Sequence, residues 1–266
     1  MPERSIREPT VAGQFYPANP ERLQRDIEEY IKQASLPEDL GSVRAVVAPH
    51  AGYVYSGTTA GYAFMALKQL PDKTRTVFLL GPAHRVPVNG VALGSYSAYR
   101  TPLGDVPVAE DQVADMLEAA SFYTRSPAAH EPEHCLEVEL PFLQASLTDF
   151  RLVPMLFGQV SPGKVAADLI ERMQEDDLVV VSSDLSHFHS YDTAQRRDQD
   201  FLNSLLGGDE NGVRKGEACG RAPVMTLMEI AERKGWTPHL LDYRNSGDTA
   251  GSRSRVVGYA SIAYTS

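Results

Sequence analysis

Short apolar runs rich in β-branched residues alternate with amphipathic helical patterns along the whole chain. The strand-like runs span residues 43–48, 75–80, 151–157, 178–183, 239–243 and 254–264. The helical patterns span residues 20–34, 57–70, 109–120, 163–174, 194–206 and 222–235. Near-continuous apolar strands must be covered on both faces, so the alternation predicts an α/β fold, a three-layer α/β/α sandwich. Residues 91–93 and 99–108 resemble a hairpin excursion, which predicts a mixed, mostly parallel sheet.

Length and charge exclude several classes of protein. The 266 residues contain no Ser/Gly/Pro-rich linker, so we expect one domain over residues 1–266. The net charge of −10 argues against a nucleic-acid partner, because no basic stripe offsets the acidic surface. No apolar run approaches the ~20 residues that span a bilayer, and the N-terminus lacks the apolar core of a signal peptide. These features predict a cytoplasmic protein with no membrane partner, in which Cys135 and Cys219 are reduced.

Chemically versatile side chains follow three of the predicted strands at the point where each strand ends. His50 follows residues 43–48, His84 follows 75–80, and both Asp184 and His187 follow 178–183. The carboxyl ends of parallel strands meet at one edge of a sheet, and ligands bind in the crevice beyond that edge. The sequence therefore predicts a functional site at which these side chains converge.

These residue types favour a metal site. Neutral imidazoles are common metal ligands, and His50 and His84 form the natural ligand pair. His187 either completes the ligand set or acts as a nearby acid and base. Asp184 either orients an imidazole or caps the turn after its strand, and the sequence does not separate these two roles.

Residues 130–144 hold a further cluster of histidines and glutamates, "HEPEHCLEVELPFLQ". Glu133, Glu137 and Glu139 suit a solvated helix start, where acidic side chains complement the helix dipole. That explanation does not extend to His134, because a helix N-terminus does not favour an imidazolium. We therefore expect His134 to be an active-site residue.

Short motifs are spread over the whole chain. They are "AGQFYPAN" (12–19), "PHAGYVYSG" (49–57), "GPAH" (81–84), "TPLG" (101–104), "EHCLEVELPFLQ" (133–144), "SSDLSH" (182–187), "NSGD" (245–248) and "VVGYAS" (256–261). Together they resemble the Memo family, whose prokaryotic members are often called AmmeMemoRadiSam system protein B. That family is similar in fold to the class III extradiol dioxygenases, which cleave catechol-type rings with non-haem Fe(II).

The resemblance implies specific roles. His50 and His84 match the metal-ligand positions, and His187 matches the position of the catalytic acid and base. Asp184 and the tyrosines of "AGYVYSG", Tyr53 and Tyr55, would line the substrate pocket. The family name also implies a functional link to an Ammecr-type protein and a radical-SAM enzyme.

The third ligand is where the sequence departs from vertebrate relatives. Those proteins place a cysteine ligand at the position of Thr249, and a threonine is a poor soft-metal ligand. The neighbouring Asp248 supplies a carboxylate, so we expect Asp248 as the third ligand and Thr249 in the substrate pocket. A carboxylate makes Fe(II) the preferred metal over copper or zinc.

The sequence leaves three functions open. The first is a non-haem iron dioxygenase acting on a small-molecule substrate, with His187 moving a proton. The second is a zinc-dependent hydrolase that uses the same ligands to activate water. The third is a binding or scaffold protein whose pocket holds a ligand or peptide without turnover, because one fold hosts many chemistries.

Overall fold

The computed structural model describes residues 5–266 and is built around a nine-stranded mixed sheet flanked by helices. In order across the sheet, the strands are β10 (His187–His189), β12 (Val256–Thr265), β2 (Val43–Ala48), β9 (Leu178–Ser182), β3 (Arg75–Pro82), β8 (Phe150–Phe157), β4 (Val91–Leu93) and β7 (Tyr123–Arg125), and β11 (Thr237–Asn245) pairs with β12. The predicted three-layer α/β/α sandwich with a mixed, mostly parallel core is confirmed.

Four central strands form the parallel part of this sheet. They are β2 (Val43–Ala48), β9 (Leu178–Ser182), β3 (Arg75–Pro82) and β8 (Phe150–Phe157), in that spatial order. Every residue of β3 and β9 is buried, as expected for strands with helices on both faces. Because β2, β9 and β3 are adjacent and parallel, their carboxyl ends lie side by side.

The outer strands extend the sheet with mixed directions. On one side β12 (Val256–Thr265) runs antiparallel to β2, and it also pairs with β11 (Thr237–Asn245) and the short β10 (His187–His189). On the other side β4 (Val91–Leu93) runs antiparallel to β8 and carries β7 (Tyr123–Arg125). The sheet therefore ends in short, twisted strands on the far side from β12.

The predicted hairpin forms, but outside the main sheet. β5 (Ala98–Thr101) and β6 (Gly104–Pro107) pair antiparallel, and β1 (Ile6–Arg7) adds a parallel strand to β5. Residues 91–93, predicted as part of the same excursion, instead form β4 of the main sheet.

The helices follow the sequence pattern within a few residues at most ends. The first helix begins after Asn19, whose side chain caps it by accepting a hydrogen bond from the Arg22 amide, and Pro20 lies in its first turn. α2 begins at Tyr53, four residues before the predicted start at Gly57, which places Tyr53 and Tyr55 on its first turn. The helices are α1 (Pro20–Gln33), α2 (Tyr53–Lys68), α3 (Glu110–Ala119), α4 (Pro127–His130), α5 (Leu140–Ser146), α6 (Pro162–Arg172), α7 (Tyr191–Leu206), α8 (Glu210–Lys215) and α9 (Arg221–Lys234).

Two groups of helices cover the sheet. α2 lies against β2, β11 and β12 and packs with α1 and α5, whereas α9 lies against β3 and β9 and packs with α6 and α8. Within residues 5–266, no helix has both the length and the apolar composition needed to cross a bilayer.

Candidate metal centre

The loops that follow β2, β3 and β9 bring the predicted histidines together at one edge of the sheet. His50 lies two residues beyond β2, and His84 lies two residues beyond β3. Their ring centroids are 5.2 Å apart, although 33 intervening residues separate them in the sequence. The convergence expected from parallel strand ends is therefore present for this pair.

A third histidine joins the pair from a different part of the chain. His134 lies in the loop between α4 and the 3-10 turn Glu137–Glu139, with its ring 5.5 Å from that of His50 and 5.1 Å from that of His84. One potential ligand atom from each of the three side chains lies within 4.8 Å of the others. The three imidazoles are thus close enough to share one ion.

The hydrogen bond at His50 leaves its Nε2 atom available as a ligand. His50 Nδ1 lies 2.7 Å from Ser182 Oγ, and the Ser182 hydroxyl donates to the Cys135 carbonyl at 2.7 Å. Since the hydroxyl proton is used on Cys135, Ser182 Oγ accepts from Nδ1–H of His50, and the lone pair lies on Nε2.

A buried carboxylate, that of Glu133, lies behind the other two rings. His84 Nδ1 donates to Glu133 Oε1 at 2.9 Å, whereas His134 Nδ1 lies 3.1 Å from the same oxygen and forms no hydrogen bond within residues 5–266. The carboxylate also accepts backbone amides from His84, Arg85, His134 and Cys135. Burial opposes its ionisation, but the neighbouring imidazoles of His134 and His84 outweigh burial and lower the pKa of Glu133. An ionised Glu133 therefore fixes the His84 ring with its Nε2 atom turned away, as carboxylates do behind metal-bound histidines.

Burial keeps His50 in the neutral form that metals require. It lowers the pKa of His50 well below the ordinary value, and the adjacent rings of His84 and His134 lower it further. Cys219 Sγ lies 3.3 Å from Nε2 of this ring. Burial, reinforced by Asp184, raises the pKa of Cys219 to about 12, so its sulfur is a neutral thiol.

The three histidines line a cavity of about 580 Å³ that opens to solvent. Its other walls include Asp184, His187 and several aromatic and basic side chains; these are Phe15, Tyr55, Arg85, Phe188, Arg255 and Tyr259. A second cavity, of about 440 Å³, lies around Trp236 and Tyr264, and no histidine or cysteine lines it. The first cavity is therefore the one where metal and substrate chemistry can meet.

His187 enters this cavity from the short strand β10. The pairing of β10 with β12 shifts register between His187 and His189, and Phe188 in between has a left-handed φ of 61°. Bulges of this kind redirect side chains and recur beside active sites. The His187 ring forms no hydrogen bond to any residue in 5–266, so both of its nitrogens are free to exchange a proton.

Asp184 lies behind the histidines rather than among the candidate ligands. Its Oδ1 accepts the backbone amide of His50 at 2.9 Å, which fixes the turn after β2. Desolvation raises the pKa of Asp184 to about 6, although the nearby His187 opposes the shift. Asp184 therefore caps the turn after β2 rather than the turn after its own strand, and no side-chain hydrogen bond joins it to an imidazole within residues 5–266.

The structure does not bring Asp248 together with His50 and His84. Its Oδ1 accepts from the Tyr191 hydroxyl at 2.5 Å, and its Oδ2 accepts the Asn245 amide at 3.0 Å, closing a cap on a 3-10 turn. Neither Asp248 nor Thr249 is among the residues that line the cavity. Position in the sequence favoured Asp248 as a metal ligand. In the structure, both oxygens of its carboxylate instead accept hydrogen bonds, one from Tyr191 and one from the Asn245 amide.

The two predicted pocket tyrosines separate on the first turn of α2. Tyr55 lines the cavity and is 39 % exposed, whereas Tyr53 is buried and donates its hydroxyl to the Val138 carbonyl at 2.8 Å. Tyr53 packs against Phe142, with ring centroids 4.9 Å apart. Only Tyr55 therefore faces the predicted substrate space.

The expectation of a solvated helix start at Glu133, Glu137 and Glu139 is wrong, because all three side chains are buried. Glu133 orients the histidines, and Glu137 forms a buried ion pair with Arg7. Both carboxyl oxygens of Glu139 lack a hydrogen-bond partner within residues 5–266. Burial, with a contribution from Asp184, raises the pKa of Glu139 well above its ordinary value, so this carboxyl is neutral in the folded protein.

A neutral Glu139 predicts an unusual pH dependence of stability. The carboxyl is protonated when folded and ionised when unfolded, so the free energy of unfolding falls as pH rises above its ordinary pKa of 4.5. Glu139→Gln should remove this slope, gaining about 1.4 kcal/mol per pH unit relative to the parent. Urea unfolding between pH 5 and pH 7 measures the difference, and the exposed Glu118→Gln is the control. Parallel curves for parent and Glu139→Gln would show an ionised Glu139.

Fold and site together define an α/β protein with a candidate histidine metal centre at the carboxyl edge of its sheet. A sequence profile described as "Memo-like protein" matches residues 7–263. A "MEMO1 family protein" of Sulfolobus acidocaldarius is 34% identical over 285 residues, covering 97% of this chain and 99% of the relative. "MEMO1 family protein MK0963" of Methanopyrus kandleri is 33% identical, covering 97% and 98%. The chain belongs to the Memo family.

A solved structure shares the fold at low sequence identity. The crystal structure of uncharacterized protein JW3007 from Escherichia coli K12 superposes with a TM-score of 0.55 at 11% identity, covering 83% of this chain and 99% of that one. This likeness supports the fold class predicted from the strand and helix pattern.

Proposed function

We propose that this protein is a metal-dependent oxidoreductase of the dioxygenase type, with one divalent ion held by His50, His84 and His134. The observation that carries the proposal is the convergence of three histidines on one cavity, with an acceptor oxygen beside each Nδ1 atom. The hydrogen bonds of His50 and His84 leave their Nε2 lone pairs available, and one potential ligand atom of each of the three rings lies within 4.8 Å of the others. It replaces the expected carboxylate ligand Asp248 by His134.

The donor set fits a divalent ion of borderline softness. Three neutral imidazoles suit Fe(II), Zn(II) and Cu(II), and they leave coordination positions open on the cavity side. An Fe(II) ion there would bind both a chelating substrate and dioxygen, and the substrate itself would supply the electrons that reduce dioxygen.

The chain's own residues would hold and move protons around that ion. Ser182 and Glu133 keep the rings of His50 and His84 in one tautomer and orientation. His187, with both ring nitrogens free at the cavity wall, would accept a proton from a substrate hydroxyl and return it to the product. Asp184, which accepts the backbone amide of His50, would hold the turn that carries this ligand.

A zinc-dependent hydrolase is the second candidate, and one specific observation favours it. The three clustered ligands are all histidines, and a His₃ set with an open fourth position is the arrangement that activates zinc-bound water in some hydrolytic enzymes. His187 would then serve as the base. The two functions differ in their need for dioxygen.

Metal content and oxygen consumption distinguish these functions. Protein purified anaerobically and loaded with Fe(II) should bind about one ion per chain and consume dioxygen with a member of a catechol panel. Zn(II)-loaded protein should consume none. Ester hydrolysis by the Zn(II) form, without oxygen uptake by the Fe(II) form, would favour the hydrolase, and failure to bind any metal would favour a non-catalytic binding protein.

His187→Ala tests the proton-transfer role separately from metal binding. The variant should keep the parent's metal stoichiometry, because His187 lies outside the three-histidine cluster. Turnover on a substrate found in the panel should fall about 10²–10⁴-fold, the usual contribution of general acid–base catalysis. His189→Ala, whose ring instead contacts Glu217 at 2.8 Å, is the matched control. Unchanged turnover in His187→Ala would remove the residue from the mechanism.

A further inference from the structure

We propose that the cavity recognises a small aromatic acid, whose carboxylate binds Arg85 and Arg255 while its ring packs on the apolar rim. This inference rests on the proposed function in one respect, because it takes the cavity at the three histidines as the substrate site. It adds the substrate's chemical class, which neither the histidines nor the fold specifies.

The charge on the cavity wall favours an anionic ligand. The chain carries 35 acidic and 25 basic side chains other than histidine, yet two arginines and one carboxylate line the cavity. Arg85 and Arg255 form no ion pair with any carboxylate in residues 5–266. The one carboxylate, Asp184, is buried and accepts a backbone amide. Exposed, unpaired guanidinium groups at the mouth of a concave site favour an anionic ligand.

The position of Arg255 supports a carboxylate in particular. Its guanidinium lies over the Phe188 ring, 5.1 Å from the centroid. A guanidinium stacked on a ring keeps its N–H edge free, and that edge matches the two oxygens of a carboxylate. Arg85 directly follows the candidate ligand His84, and its backbone amide is bonded to the buried Glu133, so its loop is anchored to the site.

The apolar surface around the mouth of the cavity favours a ligand with a flat ring. Among the described residues, the large apolar side chains left exposed are Val54, Tyr55 and Phe188, at 61%, 39% and 60%. Tyr55 and Phe188 line this cavity together with Phe15, and Val54 lines the adjoining one. Exposed apolar surface gathered at a concave site marks ligand contact rather than chance exposure. Aromatic side chains on several sides favour a flat ring between them.

The backbone at Phe188 holds one side of this rim in place. A left-handed φ is uncommon for a bulky residue, and it persists only where surrounding contacts impose it. Here the bulge between His187 and His189 directs the Phe188 ring outward, where Arg255 stacks on it. The rim is therefore ordered by the same feature that places His187 in the cavity.

Binding of benzoate and of its neutral analogue benzamide to metal-depleted protein tests the proposal. Without metal, a carboxylate cannot gain affinity by coordinating an ion, and the assay needs no turnover. Titration calorimetry should show benzoate binding at least about tenfold more tightly than benzamide, as expected for a charged hydrogen bond. The benzoate result can therefore be interpreted even if the protein binds no metal or consumes no dioxygen. Conversely, failure of benzoate to bind would not contradict the proposed metal centre.

Three variants assign the effect to the named side chains. Arg85→Gln and Arg255→Gln should each weaken benzoate binding about tenfold and leave benzamide unchanged. Arg253→Gln is the matched control, since Arg253 is also exposed but stacks on Tyr191, 4.6 Å from the ring centroid, and does not line the cavity. Equal affinity for benzoate and benzamide, parent affinity in both cavity variants, or tighter binding of inorganic phosphate than of benzoate would each overturn the proposal.

Discussion

Replacing His134 with alanine is expected to remove stoichiometric metal binding while leaving the fold intact. The ring would supply one of three nitrogens, and its side chain is 14% exposed, so its loss creates no closed cavity in the core. Disturbing a residue that merely supports a ligand costs about 10–100-fold in metal affinity, and loss of a ligand should exceed about 100-fold. Titration of metal-depleted protein with Fe(II) or Zn(II), followed by elemental analysis, measures the change.

Asp248→Asn tests the alternative third ligand and is the comparison for His134→Ala. The sequence favoured Asp248 as third ligand, whereas its carboxylate is bonded to Tyr191 and to the Asn245 amide. If His134 is the ligand, Asp248→Asn should keep parent affinity, and His50→Ala and His84→Ala should behave like His134→Ala. Parent affinity in His134→Ala together with metal loss in Asp248→Asn would restore the carboxylate as ligand.

The strand-end histidines were predictable because parallel strands impose a common geometry. Once β2, β3 and β9 were identified as buried strands, the side chains beyond their carboxyl ends had to lie at one edge of the sheet. The closeness of His50 and His84 also depends on strand order, because only β9 lies between β2 and β3, and the pattern of apolar residues does not specify that order. The fold class and the shared edge of the sheet therefore followed from the sequence pattern, whereas the short distance between the two rings did not.

Residues that reach the site through loops were harder to predict. Glu133 looked like one of several acidic residues at a helix start, and only its position beside His134 in the sequence gave a signal. Its role depends on a loop that turns the carboxylate inward to meet His84, and no periodicity encodes such a turn. Asp248 is the opposite case, because it stands next to the position at which relatives have a ligand, yet its carboxylate caps its own 3-10 turn.

The cavity rim was also missed, for a different reason. Phe188 follows His187 in a segment that carries no strand pattern, and its exposure results from a bulge against β12. Arg255 lies just before β12, where an arginine in a polar turn is unremarkable. Their proximity depends on the pairing of two segments nearly 70 residues apart, which local sequence does not specify.

The second large effect concerns Arg7 and Glu137, a buried ion pair that ties the N-terminal segment to the loop carrying His134. Both side chains are almost fully buried, and Glu137 also accepts the amides of Thr10 and Val11 and the Tyr16 hydroxyl. Arg7→Met should leave the carboxylate buried without its counter-charge. Removing one partner of a buried pair costs about 3–5 kcal/mol, so we expect this loss in the free energy of unfolding.

Arg100→Met is the matched control for Arg7→Met. Arg100 is on the neighbouring strand β5 and pairs with Glu8 and Asp105, but its side chain is 41% exposed. An exposed pair is screened by water and contributes far less than a buried one, so urea unfolding at pH 7 should separate the two variants clearly. Equal small losses in both would show that water or a rearranged side chain compensates Glu137.

Acidification supplies an independent check on the charge of Glu137. Burial opposes its ionisation, but Arg7 and the Thr10 amide outweigh burial and lower the pKa of Glu137 below its ordinary value of 4.5. A carboxyl with a lowered folded pKa contributes stability that is present above the unfolded pKa and is lost as pH falls through the folded one. Without Arg7, burial raises the folded pKa of Glu137 above that of the parent, so the deficit of Arg7→Met should be largest at pH 7 and should shrink as pH falls and the carboxyl of the variant takes up a proton. A deficit that persists undiminished in acid would mean that Arg7 stabilises the fold through packing rather than through charge.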